Sequence, residues 1–104
     1  MRRPAYDEEQ AMLLTPLLEA IGREIIDREE AIRALLKDAS QQLYDPDWLA
    51  RELVAVHVEL AGAHMELEEL GCSLVGRRPL TFRIRRAGVG PRSFLWQGTD
   101  LVAY

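Results

Sequence analysis

Apolar residues in the first part of the chain recur with the period of a helix. Between residues 14 and 39 they step alternately by four and three positions, the heptad pattern of a helix that packs against another helix. This first seam consists of Leu14, Leu18, Ile21, Ile25, Arg28, Ile32, Leu35 and Ala39. Asp7 and Gln10 can form a capping box at its start, and Pro16 is expected to kink or restart the helix. Arg28 either pairs with a carboxylate across the contact or turns outward.

A second seam of the same kind follows after a short break. It consists of Leu49, Leu53, Val56, Leu60, Ala63, Leu67 and Leu70. Asp45 and Pro46 are typical of a helix start, because Asp caps the first turn and Pro fits the first helical position. Gly71 is a typical helix stop. Since the connection is short, we expect an antiparallel helical hairpin over residues 7–70.

The pattern changes to strict alternation after Gly71. Leu80, Phe82 and Ile84 alternate with polar residues, which predicts a half-buried strand over residues 80–85. We interpret the rest of the chain as a turn at 88–91, a returning strand at 93–97 and a short third strand at 101–104. The predicted fold is therefore α+β: a long antiparallel hairpin followed by a small two- or three-stranded antiparallel sheet over 79–104, in a single domain spanning 1–104.

Composition narrows the class of protein. The chain has 104 residues, and its 48% hydrophobic content is too high for a disordered protein. No membrane span is expected, because no run approaches roughly 18 apolar residues. No signal peptide is expected, because the basic start of the chain is not followed by an apolar run. A single cysteine, Cys72, excludes an internal disulfide and a cysteine-based zinc site, and it favours a cytoplasmic location.

The net charge of −4 is unevenly distributed along the chain. Residues 5–70 carry 16 acids and 5 bases, a net of −11, whereas residues 71–99 carry six arginines and no acid. Arg2 and Arg3 add two positive charges and Asp100 adds one negative charge, which restores the total. The six arginines are Arg77, Arg78, Arg83, Arg85, Arg86 and Arg92. The two halves are electrostatically complementary, which points to interaction with another molecule.

Three segments carry a resemblance to a known family. A proline interrupts an acidic, leucine-rich helix at residues 6–19, a Leu-Glu-Glu-Leu-Gly sequence closes the hairpin at 67–71, and a Trp and a Gly lie at 95–98. The chain resembles, over most of its length, the bacterial proteins of domain of unknown function 2203. This resemblance implies a bacterial origin and an architecture, not an activity.

Several polar positions depart from that family. Thr81 stands before Phe82 where the family typically has an aspartate, and Thr99 precedes Asp100 where an acid usually follows the glycine at once. Tyr104 stands where relatives commonly continue into a Trp-His pair. If those polar residues form a site in the relatives, this chain lacks most of it.

Two histidines on the second predicted helix are the candidates for metal binding. His57 and His64 are two turns apart and share a face, about 10 Å apart along the axis, which is too far to chelate one ion together. Only His64 and Glu68 have the i, i+4 spacing of helical metal ligands, and a site there needs further ligands, such as Glu24, from the first helix. The favoured interpretation is that the histidines flank a helix or subunit contact. No cofactor is expected.

The arginine-rich segment is the strongest functional candidate. Arg83 and Arg85 share one face of the predicted strand, and Phe82, Phe94 and Trp96 lie nearby in sequence. A basic sheet with aromatic residues can bind nucleic acid, but the acidic hairpin would repel a polyanion. An acidic protein surface, including a second copy of this chain, is the favoured partner.

Three hypotheses for function follow. The leading one is a non-enzymatic, homo-oligomeric interaction or scaffold protein, because two apolar seams on a small chain favour a two-fold dimer with a four-helix core. The alternatives are a nucleic-acid-binding protein that uses Arg83 and Arg85, and a metal-dependent activity around His57, His64 and Glu68.

Overall fold

A computed structural model describes residues 4–98 and 100–104; Arg2, Arg3 and Thr99, which entered the charge count and the family comparison, lie outside this part. The described chain forms two helices and then a four-stranded sheet with strand order β1-β2-β3-β4, in which all neighbours pair antiparallel. The elements are α1 (Glu8–Ser40), α2 (Pro46–Glu69), β1 (Cys72–Arg77), β2 (Leu80–Arg85), β3 (Ser93–Gln97) and β4 (Asp100–Ala103). The α+β fold with a helical hairpin is confirmed.

The start of α1 has the predicted capping box. The Gln10 backbone N–H donates to Asp7 Oδ1 at 2.8 Å, and the Asp7 N–H donates to Gln10 Oε1 at 3.0 Å. Pro16 lies inside α1, so the expectation that the helix restarts there is wrong. Proline leaves the carbonyl four residues earlier without its usual donor, and the Thr15 hydroxyl supplies one by donating to the Met12 carbonyl at 2.8 Å.

The two predicted seams form the contact between α1 and α2. Leu18 and Ile25 on α1 are fully buried, and Ala63 and Leu67 on α2 are almost so. Arg28 forms an ion pair with Glu59 of α2. Its Nε atom is buried but makes no hydrogen bond of good geometry. Of the two interpretations of Arg28, pairing across the contact is therefore confirmed.

Strand β1 is the element that the sequence analysis missed. The sheet has four strands rather than two or three, and it begins at Cys72 rather than at residue 79. Only Cys72 and Leu74 alternate inward before the pairing with β2 shifts between Leu74 and Gly76. The sequence shows no clear alternation over this segment, because apolar Val75 stands at an exposed position and Gly76 has no side chain.

The inner face of the sheet packs directly against α1. Phe82 and Ile84 of β2 are fully buried, and Phe94 and Trp96 of β3 are nearly so. Gly22 lets the helix approach, because a Cβ atom at that position would lie 2.5 Å from Phe82 Cζ. The core thus lies between the hairpin and one side of the sheet, and the other side of the sheet faces solvent.

Tyr6 connects the start of the chain to the end of the hairpin. Its hydroxyl donates to the Leu70 carbonyl at 2.7 Å, and its backbone N–H donates to the Arg85 carbonyl at 3.0 Å. Gly71 ends α2 with a φ of +74°, as its predicted role as a helix stop requires. These contacts set the position of β2 relative to the carboxyl end of α2.

Neither helix of the described chain has the apolar length that a bilayer crossing needs.

Candidate functional site

Two cross-strand pairs on the outward side of the sheet each join an arginine to a serine. Ser73 of β1 lies opposite Arg83 of β2, and Arg85 of β2 lies opposite Ser93 of β3. Arg83 and Arg85 are two positions apart and therefore point to the same side, away from buried Phe82 and Ile84. We refer to these four residues as the basic face. The serines were not among the sequence candidates, because their pairing depends on β1 and on the register.

An open cleft of about 490 Å³ lies between the basic face and the last turns of α2. Its other lining residues are His64, Leu67, Glu68, Gly71, Cys72 and Leu74. The cleft therefore brings two arginines together with two of the three metal-site candidates. The lining of the cleft therefore contains two guanidinium groups, two hydroxyls, one imidazole and one carboxylate.

Tyr104 extends the basic face beyond β4. The Arg83 Nε donates to the Tyr104 hydroxyl at 2.7 Å, which orients the guanidinium, and the tyrosine is itself half exposed. Val75 and Val102 are also exposed, at 44% and 58%. Arginine and tyrosine beside apolar side chains are a typical composition for the centre of a protein–protein interface. Tyr104 was missed because a contact between residues 83 and 104 has no local signal in the sequence.

Arg77 has a partner inside the protein. Its Nε and Nη2 donate to the two carboxylate oxygens of Glu29 at 3.0 and 3.1 Å. This bidentate contact lowers the pKa of Glu29 and raises the pKa of Arg77. Arg33, four residues after Glu29 on α1, lowers the Glu29 pKa only through its charge. Arg77 therefore joins β1 to α1 rather than serving an external ligand.

Arg86 also contributes to the fold. Its Nη1 donates to the carbonyls of Val89 and Pro91 at 3.1 and 3.0 Å, so it stabilises the loop between β2 and β3. Its guanidinium lies 5.6 Å from the centre of the Phe94 ring. The two remaining sequence candidates, Arg78 and Arg92, are exposed outside the strands. The structure thus brings together only Arg83 and Arg85 from the predicted set of six.

The aromatic residues near the arginines face the other way. Phe82, Phe94 and Trp96 are at most 6% exposed, and the rings of Phe82 and Trp96 stack with their centroids 5.6 Å apart. They lie on the inner side of the sheet, whereas Arg83 and Arg85 lie on the outer side. These three rings therefore cannot stack with bases of a nucleic acid bound to the basic face.

The residues proposed for metal binding do not form a cluster. Within residues 4–98 and 100–104, no group of three His, Cys, Asp or Glu side chains could hold a metal ion. His57 Nδ1 lies 2.7 Å from the Leu53 carbonyl, so that nitrogen is engaged by its own helix. His64 and Glu68 both line the cleft.

Cys72 packs into the hydrophobic core at the start of β1. It is 7% exposed, and burial raises the pKa of its thiol to about 12. The thiol is therefore neutral near pH 7, which is the unreactive form.

Comparison with known proteins found no matching family model, curated protein or solved structure. The resemblance to the family of domain of unknown function 2203 stays a prediction.

Proposed function

We propose that this chain is a non-enzymatic, self-associating interaction protein of the cytoplasm that binds an acidic protein surface through its basic face. The observation that carries the proposal is the arrangement of Arg83 and Arg85 on one exposed side of β2, beside a cleft and within a surface that also holds Tyr104. Exposed Val75 and Val102 add apolar area to the same side of the sheet. Such a mixed surface suits a partner that is acidic and amphipathic.

Three observations favour a protein over a nucleic acid as the partner. The aromatic residues that would stack with bases are buried on the opposite side of the sheet. Arg77 and Arg86 make contacts within the protein, which removes two of six arginines from a continuous phosphate-binding track. The acidic hairpin, with a net charge of −11 over residues 5–70, also repels a long polyanion.

Fluorescence anisotropy with two labelled probes of equal charge tests the proposal. One probe is a short peptide of glutamate and leucine, and the other is a single-stranded thymidine oligonucleotide. The R83A/R85A double variant is expected to bind the peptide roughly 2- to 30-fold more weakly, because each exposed ion pair contributes about 0.2–1 kcal/mol. The R78A/R92A variant removes the same charge outside the basic face, and we expect it to bind like the unmodified protein.

Two results would contradict the proposal. Equal weakening in both double variants would show that only the net charge matters. Tighter binding of the oligonucleotide than of the peptide, lost on replacing Arg83 and Arg85, would favour the nucleic-acid alternative instead.

A further inference from the structure

Strand β1 lies at an edge of the sheet that the described residues form, with β2 as its one neighbouring strand. The Arg85 backbone N–H donates to the Gly71 carbonyl at 3.0 Å, and the register of β1 with β2 continues without a break from Cys72 to Leu74. Hydrogen bonding alternates along an antiparallel strand, so Ser73 faces β2 as the Gly71 carbonyl does. The backbone N–H and C=O groups of Cys72 and Leu74 therefore point to the open edge.

The cleft beside the basic face runs along this open edge. Four consecutive residues, 71–74, line the cleft. Gly71 has no side chain, so its place in the lining shows that the cleft reaches the backbone. The cleft therefore gives access to the backbone groups of β1 that point away from β2. Its wall on α2 consists of His64, Leu67 and Glu68.

The two sides of this edge differ in their chemistry. Ser73 is exposed on the outward side opposite Arg83, and Arg85 lies two positions further along β2 on the same side. Cys72 and Leu74 point inward, where they pack with the hydrophobic core. A segment that pairs with β1 continues this alternation, because side chains along a strand point to opposite faces in turn. Acidic residues suit its outward positions, and apolar residues suit its inward positions.

We propose that the acidic partner binds as a fifth strand, antiparallel to β1, along this edge. The partner residue opposite Ser73 is acidic and points outward toward Arg83, and the residues on either side of it are apolar and point inward. Backbone hydrogen bonds with Cys72 and Leu74 supply affinity, and the alternation of acidic and apolar side chains supplies specificity. The inference rests on the proposed function, because it assumes that the ligand of the basic face is an acidic protein segment.

The spacing of strands permits the contact between the added strand and Arg83. Neighbouring strands are about 4.8 Å apart, so the added strand lies about 9.6 Å from β2. A glutamate of the added strand and Arg83 extend toward each other from the two sides of Ser73, whose side chain is short. An antiparallel arrangement is favoured, because it is the more stable pairing per residue and every other pair in this sheet is antiparallel.

Charge favours this occupant and this edge over the alternatives. A second copy of the chain paired through β1 would bring two basic faces side by side, and like charges across strands are destabilising. Glu68 lines the cleft from α2, so acidic residues on the inward side of the added strand would be repelled. The opposite edge of the sheet is β4, which carries Asp100 and is separated from β2 by β3. An acidic strand added there would meet a carboxylate and lie about 14 Å from β2.

Two peptides that differ only in the position of backbone methylation test the strand pairing. Both are short peptides in which glutamate and leucine alternate, and their binding to the unmodified protein is measured by fluorescence anisotropy. In an antiparallel strand the N–H groups of the inward leucines face β1, whereas those of the outward glutamates face solvent. N-methylation of the leucines should weaken binding about tenfold or more, because it removes the donors to the Cys72 and Leu74 carbonyls. N-methylation of the glutamates is the matched control and should leave the affinity unchanged.

Amide hydrogen exchange followed by NMR locates the added strand on the protein. When the unmethylated peptide binds, the amides of Cys72 and Leu74 should exchange more slowly, because they acquire hydrogen-bond acceptors. Leu101 and Ala103 of β4 are the internal control. The Tyr104 N–H faces β3, so the amides of these two residues point to the other open edge in the same alternation. Their exchange should not change on binding.

Every other outcome overturns a definite statement. Greater weakening by methylated glutamates than by methylated leucines would show that the added strand is parallel. Equal affinity of the two methylated peptides, with Arg83 and Arg85 still required, would remove the added strand and leave the proposed function standing. Slower exchange at Leu101 and Ala103 instead would place the strand on β4. If the unmethylated peptide did not bind, this inference and the proposed function would both be wrong.

Discussion

Adding one methyl group at Gly22 is the most direct probe of how closely α1 approaches the sheet. A Cβ atom there would lie 2.5 Å from Phe82 Cζ and 3.1 Å from Leu80 Cδ2. Phe82 is fully buried and stacks on Trp96, so the ring has little room to move away. We therefore expect G22A to destabilise the protein, even though alanine is the better helix former.

The size of the effect follows from two opposing contributions. Replacing glycine by alanine inside a helix favours folding by about 0.8–1 kcal/mol, whereas overpacking a core typically costs about 1–3 kcal/mol. The net change for G22A is a loss of stability between about zero and 2 kcal/mol. At Gly62 of α2 a Cβ atom meets nothing within 4 Å, so G62A keeps only the favourable contribution. The two variants should differ by the overpacking cost.

Urea unfolding followed by circular dichroism measures both variants against the unmodified protein. All samples need the same protein concentration, because dimerisation adds to the apparent free energy of unfolding. The expected order of stability is G62A, then the unmodified protein, then G22A. If G22A proved as stable as G62A, the close contact between Gly22 and Phe82 would not exist and the packing of α1 on the sheet would be wrong.

Three further predictions concern single contacts. T15V should cost about 1 kcal/mol in the free energy of unfolding, because the Met12 carbonyl loses its donor, and the cost should shrink in P16A, which restores a backbone N–H. Arg77 lowers the Glu29 pKa from 4.5, so the ionised form of Glu29 stabilises the fold above that pH. E29Q should therefore lower the free energy of unfolding by less than about 1 kcal/mol near pH 7. The difference in stability between E29Q and the unmodified protein should vanish as the pH falls and Glu29 becomes protonated. Cys72, with a pKa of about 12, should react with a thiol reagent at pH 8 only after unfolding; rapid native-state reaction would contradict its burial.

The hairpin was predictable because its signal is long and periodic. Each seam repeats over several heptads, so one irregular position such as Arg28 does not hide the pattern. The caps at Asp7 and Asp45 are local, since each side chain contacts a backbone N–H three residues ahead. A single sequence therefore predicts best those features that come from contacts between near neighbours or from a burial pattern that repeats along the chain.

The candidate site was less predictable because it depends on contacts distant in sequence. Alternation in β2 identified Arg83 and Arg85 as neighbours on one face, and this was correct. Which arginines have partners inside the protein was not visible, because Arg77 meets Glu29 from 48 residues away. Helix α2 also has a second heptad pattern, formed by Val54, Val58, Ala61 and Met65, but the stronger buried seam of the same helix obscured it. The exposure of these four residues separates the two patterns.

The two proposed interactions depend on different forces, and salt separates them. The basic face is proposed to attract its partner through guanidinium groups, and charges at a surface are screened beyond about 8 Å at physiological ionic strength. The proposed self-association through apolar helix surfaces should weaken far less with salt than peptide binding. Raising salt from low to physiological concentration should release the acidic peptide while the protein still sediments as a dimer; loss of both together would show that charge alone holds the two copies.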